Sequence, residues 1–510
     1  MIYIDPPYNT GNDFVYEDDY TDPIGTYLDI TSQRDGDGKL STNPESAGRF
    51  HSNWLNMIYP RLKLARNLLR EDGVIAVSID DDELPRLRMV MEEIFSSDMF
   101  YANICWQKKY SPANDAKRFS DMHDFIILFS RSDAFMRGLF PRTDENNKPY
   151  KHDDGDGRGP YRTDNLSVRT YNAANDFPIT NPNTGDVYSP PTGRCWVFSK
   201  ETLRRYIDEN RIYWGKNGAG APQLKRYLSE VQQGTVPSTW WTHEFAGHND
   251  EARKEIRALF HTTAIFETPK PTRLIKRLSQ VLTSPNDNHL ILDFFAGSGT
   301  TAHAIMQLNA EDGGNRRCIS VQLPEPTPAG SVVREQGFET ITDISRERIR
   351  RAGTKILEEE MSKLEIRAEP LDVGFRAYKL VDTNFTKWRA DSSLDEEELS
   401  DLFAQMEESA NGNAQPEVLL TEILLKLGFS LTEQVTSVDV AGLQAFSVAD
   451  GLVVAYLNEH TKPTLEQLRA LVALEPERLV ILEDAFKGDD ELKTNLVQEC
   501  RTSSVDLWTA

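Results

Sequence analysis

Short apolar runs alternate with amphipathic segments of helical period at both ends of the first 370 residues, and this alternation restricts the fold more than any other feature. Met1-Ile2-Tyr3-Ile4 is a β-prone run halted at Asp5-Pro6-Pro7-Tyr8, since two prolines cannot continue a central strand. Residues 9–50, rich in Gly, Asp, Asn, Ser and Thr, read as a long loop. Leu55, Ile58, Leu62, Ala65, Leu68 and Leu69 then share one face of a helix over 52–69. Gly73 closes it, Val74–Ile79 is a buried strand, and Asp81 or Asp82 caps a helix carrying Leu84, Leu87, Val90, Met91 and Ile94. Strands follow at 103–107 and 125–130. The pattern returns with a helix over 273–282, a strand at 289–293, a helix over 300–308, a strand at 318–322 and a helix over 343–364. Such alternation specifies an α/β fold: a parallel sheet covered by helices on both faces.

The interval 131–262 breaks the pattern. It is rich in Pro, Gly, Asn, Tyr and Trp and reads as an inserted, loop-rich domain. Farther on, an acidic linker over 391–413 leads to a small α/β unit with helices over 416–427 and 464–472 and strands at 444–448, 452–457 and 478–482. The expected domains are 1–130, 131–262, 263–370 and 371–510, a division that a chain of 510 residues can support. Four scattered cysteines (Cys105, Cys195, Cys318 and Cys500) form neither a disulfide framework nor a zinc pattern. No apolar run reaches the ~18 residues of a membrane span, so a cytoplasmic protein with no membrane segment is expected. The net charge is −23, yet residues 101–290 carry +5 and residues 371–510 carry −15. Only the former could present positive potential to a nucleic acid.

Two motifs carry chemistry. Asp5-Pro6-Pro7-Tyr8, continued by Asn9-Thr10-Gly11, suits the activation of an exocyclic amine. The lone pair of an aromatic amine is delocalised into its ring. A carboxylate and a backbone carbonyl, each accepting one N–H, pull the nitrogen towards a tetrahedral shape and free that pair. Asp5 and the Pro6 carbonyl offer the acceptors, the prolines stiffen the loop, and Tyr8 can stack on a purine rotated out of a duplex. The blander reading is a proline turn after a strand.

The second motif runs from His289 through Asp293-Phe294-Phe295-Ala296-Gly297-Ser298-Gly299-Thr300 to Ala302. An apolar strand, a glycine turn and a helix form the general geometry of a nucleotide cofactor site. Gly297-x-Gly299-x-x-Ala302 also fits a dinucleotide fingerprint, but Gln322 stands where that reading wants an acid. A phosphate-cradling P-loop fails because Thr300, not lysine, follows Gly299.

With both motifs present, the chain resembles the amino-group DNA methyltransferases of the circularly permuted kind, in which D-P-P-Y precedes F-x-G-x-G. The resemblance sharpens to the modification subunit of type III restriction–modification systems through Trp106-Gln107-Lys108-Lys109, Asn114-Asp115, His123-Asp124, Gly193-Arg194-Cys195-Trp196, Gly247-His248-Asn249, Thr268-Pro269-Lys270-Pro271, Val321-Gln322-Leu323-Pro324-Glu325 and the Ile344–Ile349 helix. It implies a permuted Rossmann-like methyltransferase sheet, an inserted target-recognition domain and a C-terminal assembly domain. It further implies methyl transfer from S-adenosylmethionine to adenine N6 in double-stranded DNA, with Asp5, Pro6, Pro7 and Tyr8 catalytic. Cofactor contacts fall to Asp293, Phe294, Phe295, Ala296, Gly297, Ser298, Gly299 and Thr300, with Lys270 and Pro271 at the methionine end. The partners implied are a second copy of the chain and the restriction helicase–endonuclease subunit.

Cytosine N4 methylation shares the chemistry, although an initial Asp favours adenine over the Ser more usual in cytosine enzymes. Family members also carry a further stretch before D-P-P-Y, whereas Asp5 follows only four residues here. A frayed catalytic strand is therefore expected, with a catalytically inert DNA-binding or assembly subunit as the alternative.

Lys108, Lys109, Lys117 and Arg118 surround a flexible loop beside the catalytic motif and are expected to meet DNA phosphates. Arg194, Arg211, Lys216, Lys225 and Arg226, interleaved with tryptophans, are weaker candidates in the insert. His51, His123, His243, His248 and His261 lack metal-ligand spacing and are read as structural, so no metal is expected.

Overall fold

A computed structural model of the chain describes residues 1–10, 34–35, 38–39, 50–114, 116–262, 265–266, 268–362, 370–383, 385, 415–430 and 432–509. Most of the loop expected over 9–50, the linker expected over 391–413, the last two residues of the helix expected over 343–364, and Asp115 lie outside them. The chain forms two compact units, Met1–Gly374 and Phe375–Ala510.

The first unit is built on seven strands: β1 (Ile2–Ile4), β2 (Val74–Ile79), β3 (Phe100–Gln107), β4 (His123–Ser130), β5 (Trp240–Trp241), β6 (Leu290–Asp293) and β7 (Arg317–Ser320). Their order is β5-β3-β4-β2-β1-β6-β7. The helices that shape the site are α1 (Phe50–Leu68), α2 (Leu84–Phe95), α3 (Asn249–Phe260), α4 (Thr272–Leu282), α5 (Thr300–Asp312) and α6 (Ile341–Met361). The sheet is not wholly parallel, which corrects the sequence expectation. β4 runs antiparallel to both β2 and β3. A parallel return needs a crossover, and the described residues of 108–122 include no helix, so the chain turns straight back.

Alternation along the strands sorts the core. Ile2 and Ile4 join Ile75, Val77 and Ile79 under α1 and α2, whereas Tyr3, Val74 and Ala76 face Leu274 and Ile275 of α4 and Ala304 of α5. The fraying expected for β1 does not occur. It pairs with β2 on one side and β6 on the other, and Ile2, Tyr3 and Ile4 are 2%, 2% and 0% exposed. Truncating Ile4 to alanine would cost about 2–5 kcal/mol at such a site.

The cap expected from Asp81 or Asp82 is also absent. Glu83 occupies the N-cap position of α2 without a side-chain cap, and Asp80 instead accepts from the Asp82 N–H at 3.1 Å.

Within the insert, Leu166, Trp196, Ile212 and Trp214 form a small core beside the antiparallel strands Tyr161–Asn165, Gln223–Tyr227 and Ile212–Tyr213. The chain then rejoins the main sheet through β5, parallel to β3.

The second unit has a five-stranded sheet in chain order: β8 (Val435–Val440), β9 (Leu443–Val448), β10 (Val453–Tyr456), β11 (Arg478–Ile481) and β12 (Asp506–Thr509). Helices Pro416–Lys426, Leu465–Val472 and Asp490–Thr502 contribute Ile423, Leu468 and Leu496 to its core, which buries Val454 and Val480. The end strands β8 and β12 and the helix Asp490–Thr502 were not apparent from periodicity. Among the described residues no helix is long and apolar enough to cross a membrane.

Candidate active site

β1 and β6 are neighbours in register, Ile2 opposite Leu292, so Asp5 and the turn after Asp293 emerge at the same edge of the sheet. Two contacts hold the Asp5 loop from beneath. The Trp54 indole, wholly buried on α1, donates to the Pro7 carbonyl at 2.6 Å. Asn9, in the left-handed region at φ 58°, donates through Nδ2 to Glu83 Oε1 at 2.6 Å. Asparagine tolerates that conformation better than most residues. Glu83 is fully buried and also meets His51 Nδ1 at 2.5 Å, which gives that carboxylate a role the sequence did not disclose.

Lys270 enters from the loop before α4. Its Nζ donates to both oxygens of Asp5 at 2.7 Å and lies 4.9 Å from the centre of the Tyr8 ring. Behind it stands Asp124, at the start of β4 and 3% exposed, whose Oδ1 accepts from Lys108 Nζ at 2.7 Å. Burial pushes the Asp124 carboxyl up, against the pull of Lys270 and Lys108. Burial also drives the Tyr8 phenol well up, reinforced by the charges of Asp5 and Asp124, so Tyr8 presents a neutral ring.

These positions alter one expectation. Lys108 pairs with Asp124 and with Asp121 at 2.5 Å, its side chain 12% exposed, so it is committed to the site's own carboxylates rather than offered to a phosphate. Lys109, Lys117 and Arg118 are exposed between β3 and β4, beside a fully exposed Phe119. In the insert, Arg211 pairs with Glu230 and Glu209, Lys225 with Asp154, and Arg226 with Asp164, while Arg194 donates to the Ser167 carbonyl.

The glycine turn is held by its own network. Asp293 accepts from the Phe295 N–H at 3.1 Å and from Thr301 Oγ1 at 2.5 Å, and its burial pushes its carboxyl up to about 7 despite those bonds. The Gly297 N–H donates to Gln322 Oε1 at 2.7 Å, and Ser345 Oγ donates to the Gly297 carbonyl. Arg348 on α6 is wholly buried and donates from Nη1 to Ser298 Oγ and Thr300 Oγ1, both at 2.7 Å. Its charge faces Glu255 of α3 at 3.7 Å, and burial lowers its pKa to about 10. Glu255 in turn accepts from the N–H and Oγ1 of Thr272, at 3.0 and 2.8 Å. One guanidinium thus ties three helices to the turn. Sequence reading placed Arg348 in a family block and gave it no role; the signal available was an arginine facing the same way as Ser345 and Ala352 on an amphipathic helix.

The two glycines differ. A Cβ on Gly299, at φ 77°, would lie 3.2 Å from the Ser345 carbonyl, so the protein's own packing demands that glycine. Among the described residues, a Cβ on Gly297, at φ 50°, would meet only Phe266 Cζ at 3.4 Å and a carbonyl farther off. It would fill a cradle between the turn and an aromatic ring, and such a cradle fits the adenosine part of a nucleoside cofactor.

Residues 1–325, which include both motifs and the insert, match the family model described as DNA methylase. The chain belongs to the DNA methylase family. Among its relatives, the StyLTI Mod subunit, a type III restriction–modification enzyme of Salmonella typhimurium LT2, is 35% identical over 385 residues, covering 74% of this chain and 56% of that one. The type II methyltransferase M.KpnI of Klebsiella pneumoniae is 31% identical over 388 residues, 72% of this chain and 85% of that one. The EcoP15I Mod subunit, a type III restriction–modification enzyme of Escherichia coli, is 27% identical over 550 aligned residues, 97% of this chain and 79% of that one. The chain therefore spans little more than half the length of the first relative and about four-fifths of the other two.

Proposed function

We propose that the protein transfers a methyl group from S-adenosylmethionine to adenine N6 in double-stranded DNA, as the modification subunit of a restriction–modification system. The observation that carries this reading is the shared sheet edge: the carboxylate of Asp5 and the glycine turn of Phe295–Thr300 end adjacent parallel strands. An amine-activating acceptor and a cofactor cradle side by side supply proximity, the main contribution a protein makes when the donor is already reactive.

In this reading Asp5 and the Pro6 carbonyl accept the two N–H bonds of the amine, and the neutral Tyr8 ring stacks on the extruded base. The Gly297 cradle takes the adenosine. Glu325, half-buried and accepting from Gln322, which itself accepts from the Gly297 N–H, suits the ribose hydroxyls. Once bound, the cofactor supplies an electrophilic methyl on a sulfonium. Asp5, already accepting from the amine, takes the proton that the amine then sheds. The exposed Lys109, Lys117 and Arg118 contact backbone phosphates, residues 131–262 read the target sequence, and the C-terminal unit serves self-association and the restriction subunit. As a restriction–modification subunit the protein works in the cytoplasm.

Single-molecule sequencing of host DNA with and without the gene tests the reading. Sequence-specific N6-methyladenine that vanishes with the gene is expected. N4-methylcytosine, or no change in either mark, would overturn it.

A further inference from the structure

Lys270 stands between the two halves of the site, and the structure gives it to Asp5 rather than to the glycine turn. Both Asp5 oxygens accept from its Nζ at 2.7 Å, and its side chain is 11% exposed against 24% for Asp5. The buried Asp124 also attracts this ammonium and keeps it on the Asp5 side of the site. Pro269 and Pro271 flank Lys270 and are both buried, so its backbone is fixed and only the long side chain can swing.

A carboxylate paired on both oxygens is a poorer acceptor for an amine N–H than a free one. Productive engagement of an amine therefore requires Lys270 to leave Asp5. Separating a partly buried pair with no new partner would strand two charges, and Asp124 is already engaged by Lys108, so the ammonium needs another anion to move to. The amino-acid end of the cofactor carries one.

We propose that Lys270 is a latch on Asp5, and that it leaves Asp5 for the carboxylate of the incoming cofactor. The inference rests on the methyltransferase reading and adds an order of events to it. Asp5 becomes competent to hold the adenine amine only after the cofactor has arrived, which prevents an extruded base from being held without a methyl donor. Lys270 is thus a positioning residue. It exchanges one ion pair for another, with no covalent bond made or broken.

Calorimetry on the full chain with S-adenosylhomocysteine tests the latch. This probe keeps the carboxylate but has no sulfonium charge for Asp5 to attract. Asp5→Asn should bind it about tenfold more tightly than the native protein, because Lys270 no longer has to be drawn from a carboxylate. Lys270→Met should bind it about tenfold more weakly, and adding Asp5→Asn to Lys270→Met should change nothing further. Lys270→Gln repeats the measurement if the methionine variant melts early. Damage to the fold would weaken binding in Asp5→Asn, so the sign of that change separates a latch from a structural role. Equal affinity in Asp5→Asn, or a gain that persists in the double variant, overturns the latch and leaves the methyltransferase reading standing. A native protein that binds no S-adenosylhomocysteine sinks that reading, and the latch with it.

Discussion

The Trp54 indole donates to the carbonyl of Pro7 at 2.6 Å, from the core of α1 to the middle of the loop that carries Asp5. A rigid helix thereby sets the height of Asp5 above the sheet. Trp54→Phe keeps a ring in the core but removes the donor. Stability should fall by about 1–3 kcal/mol through the lost hydrogen bond and the smaller ring. Turnover should fall more than that loss implies, while affinity for S-adenosylhomocysteine changes little. Asp5→Ala should lower turnover at least about 100- to 1,000-fold, because it deletes an acceptor aimed at the reacting amine. Rapid-quench methylation assays measure both effects, and near-normal turnover in Asp5→Ala would remove Asp5 from the chemistry.

Arg348 is a different kind of dependence. Its replacement by methionine leaves Ser298, Thr300 and Glu255 without their shared cation in the interior. Removing one member of such a buried pair costs about 3–5 kcal/mol. Arg348→Met should therefore melt early and lose cofactor affinity together, as read by thermal unfolding with and without S-adenosylhomocysteine. A variant of native melting temperature would show that the turn does not depend on this arginine.

Asp293 predicts a pH dependence. Burial raises its pKa to about 7 from an ordinary value of 3.8. An acid with a raised folded-state pKa favours the native state most below about 4 and loses that contribution as pH climbs through about 7. Asp293→Asn carries no such charge. Its stability relative to the native protein should improve between pH 4 and pH 8, by roughly 4 kcal/mol, and level off above that. Urea denaturation of the two proteins across this range is the measurement. A constant difference would mean that Asp293 titrates normally.

Lys117 and Arg118 are exposed and carry the phosphate-contact expectation, whereas Lys108 is committed to Asp124 and Asp121. Each phosphate contact contributes about −0.9 to the slope of log affinity against log salt. Lys117→Ala with Arg118→Ala should flatten that slope by about 1.8 if both contact phosphates, with no effect on S-adenosylhomocysteine binding. Lys108→Ala should leave the slope unchanged. A slope that follows Lys108 instead would reverse the assignment.

The outcome for Lys108 shows where sequence reasoning stops. Runs such as Val74–Ile79 and the Asp293–Thr300 turn were legible because period and glycine spacing are local properties. The direction of β4 was not, since it depends on the described residues of 108–122 including no crossover helix. Glu83, Asp124, Lys270 and Arg348 acquire their partners across 74, 16, 265 and 50 residues of chain. No window of sequence holds both ends of such contacts, and a charged residue looks solvated until its partner is known.

The C-terminal unit is where charge and fold point the same way. Residues 371–510 carry −15, and within them the five strands β8–β12 close over a core that includes Val454, Leu468, Val480 and Leu496. An acidic surface repels a polyanion, so this unit should contribute nothing favourable to DNA binding. A folded acidic module on a chain of the DNA methylase family is suited instead to protein partners. Deleting 375–510 should leave Met1–Gly374 folded, because that unit has its own sheet and cores, and should leave S-adenosylhomocysteine affinity within about twofold of the full chain. Self-association should weaken and DNA methylation should fall with it. Sedimentation velocity on the full chain and the deletion decides the matter. If both sediment as the same oligomer, association belongs to the first unit, and the acidic module has another role.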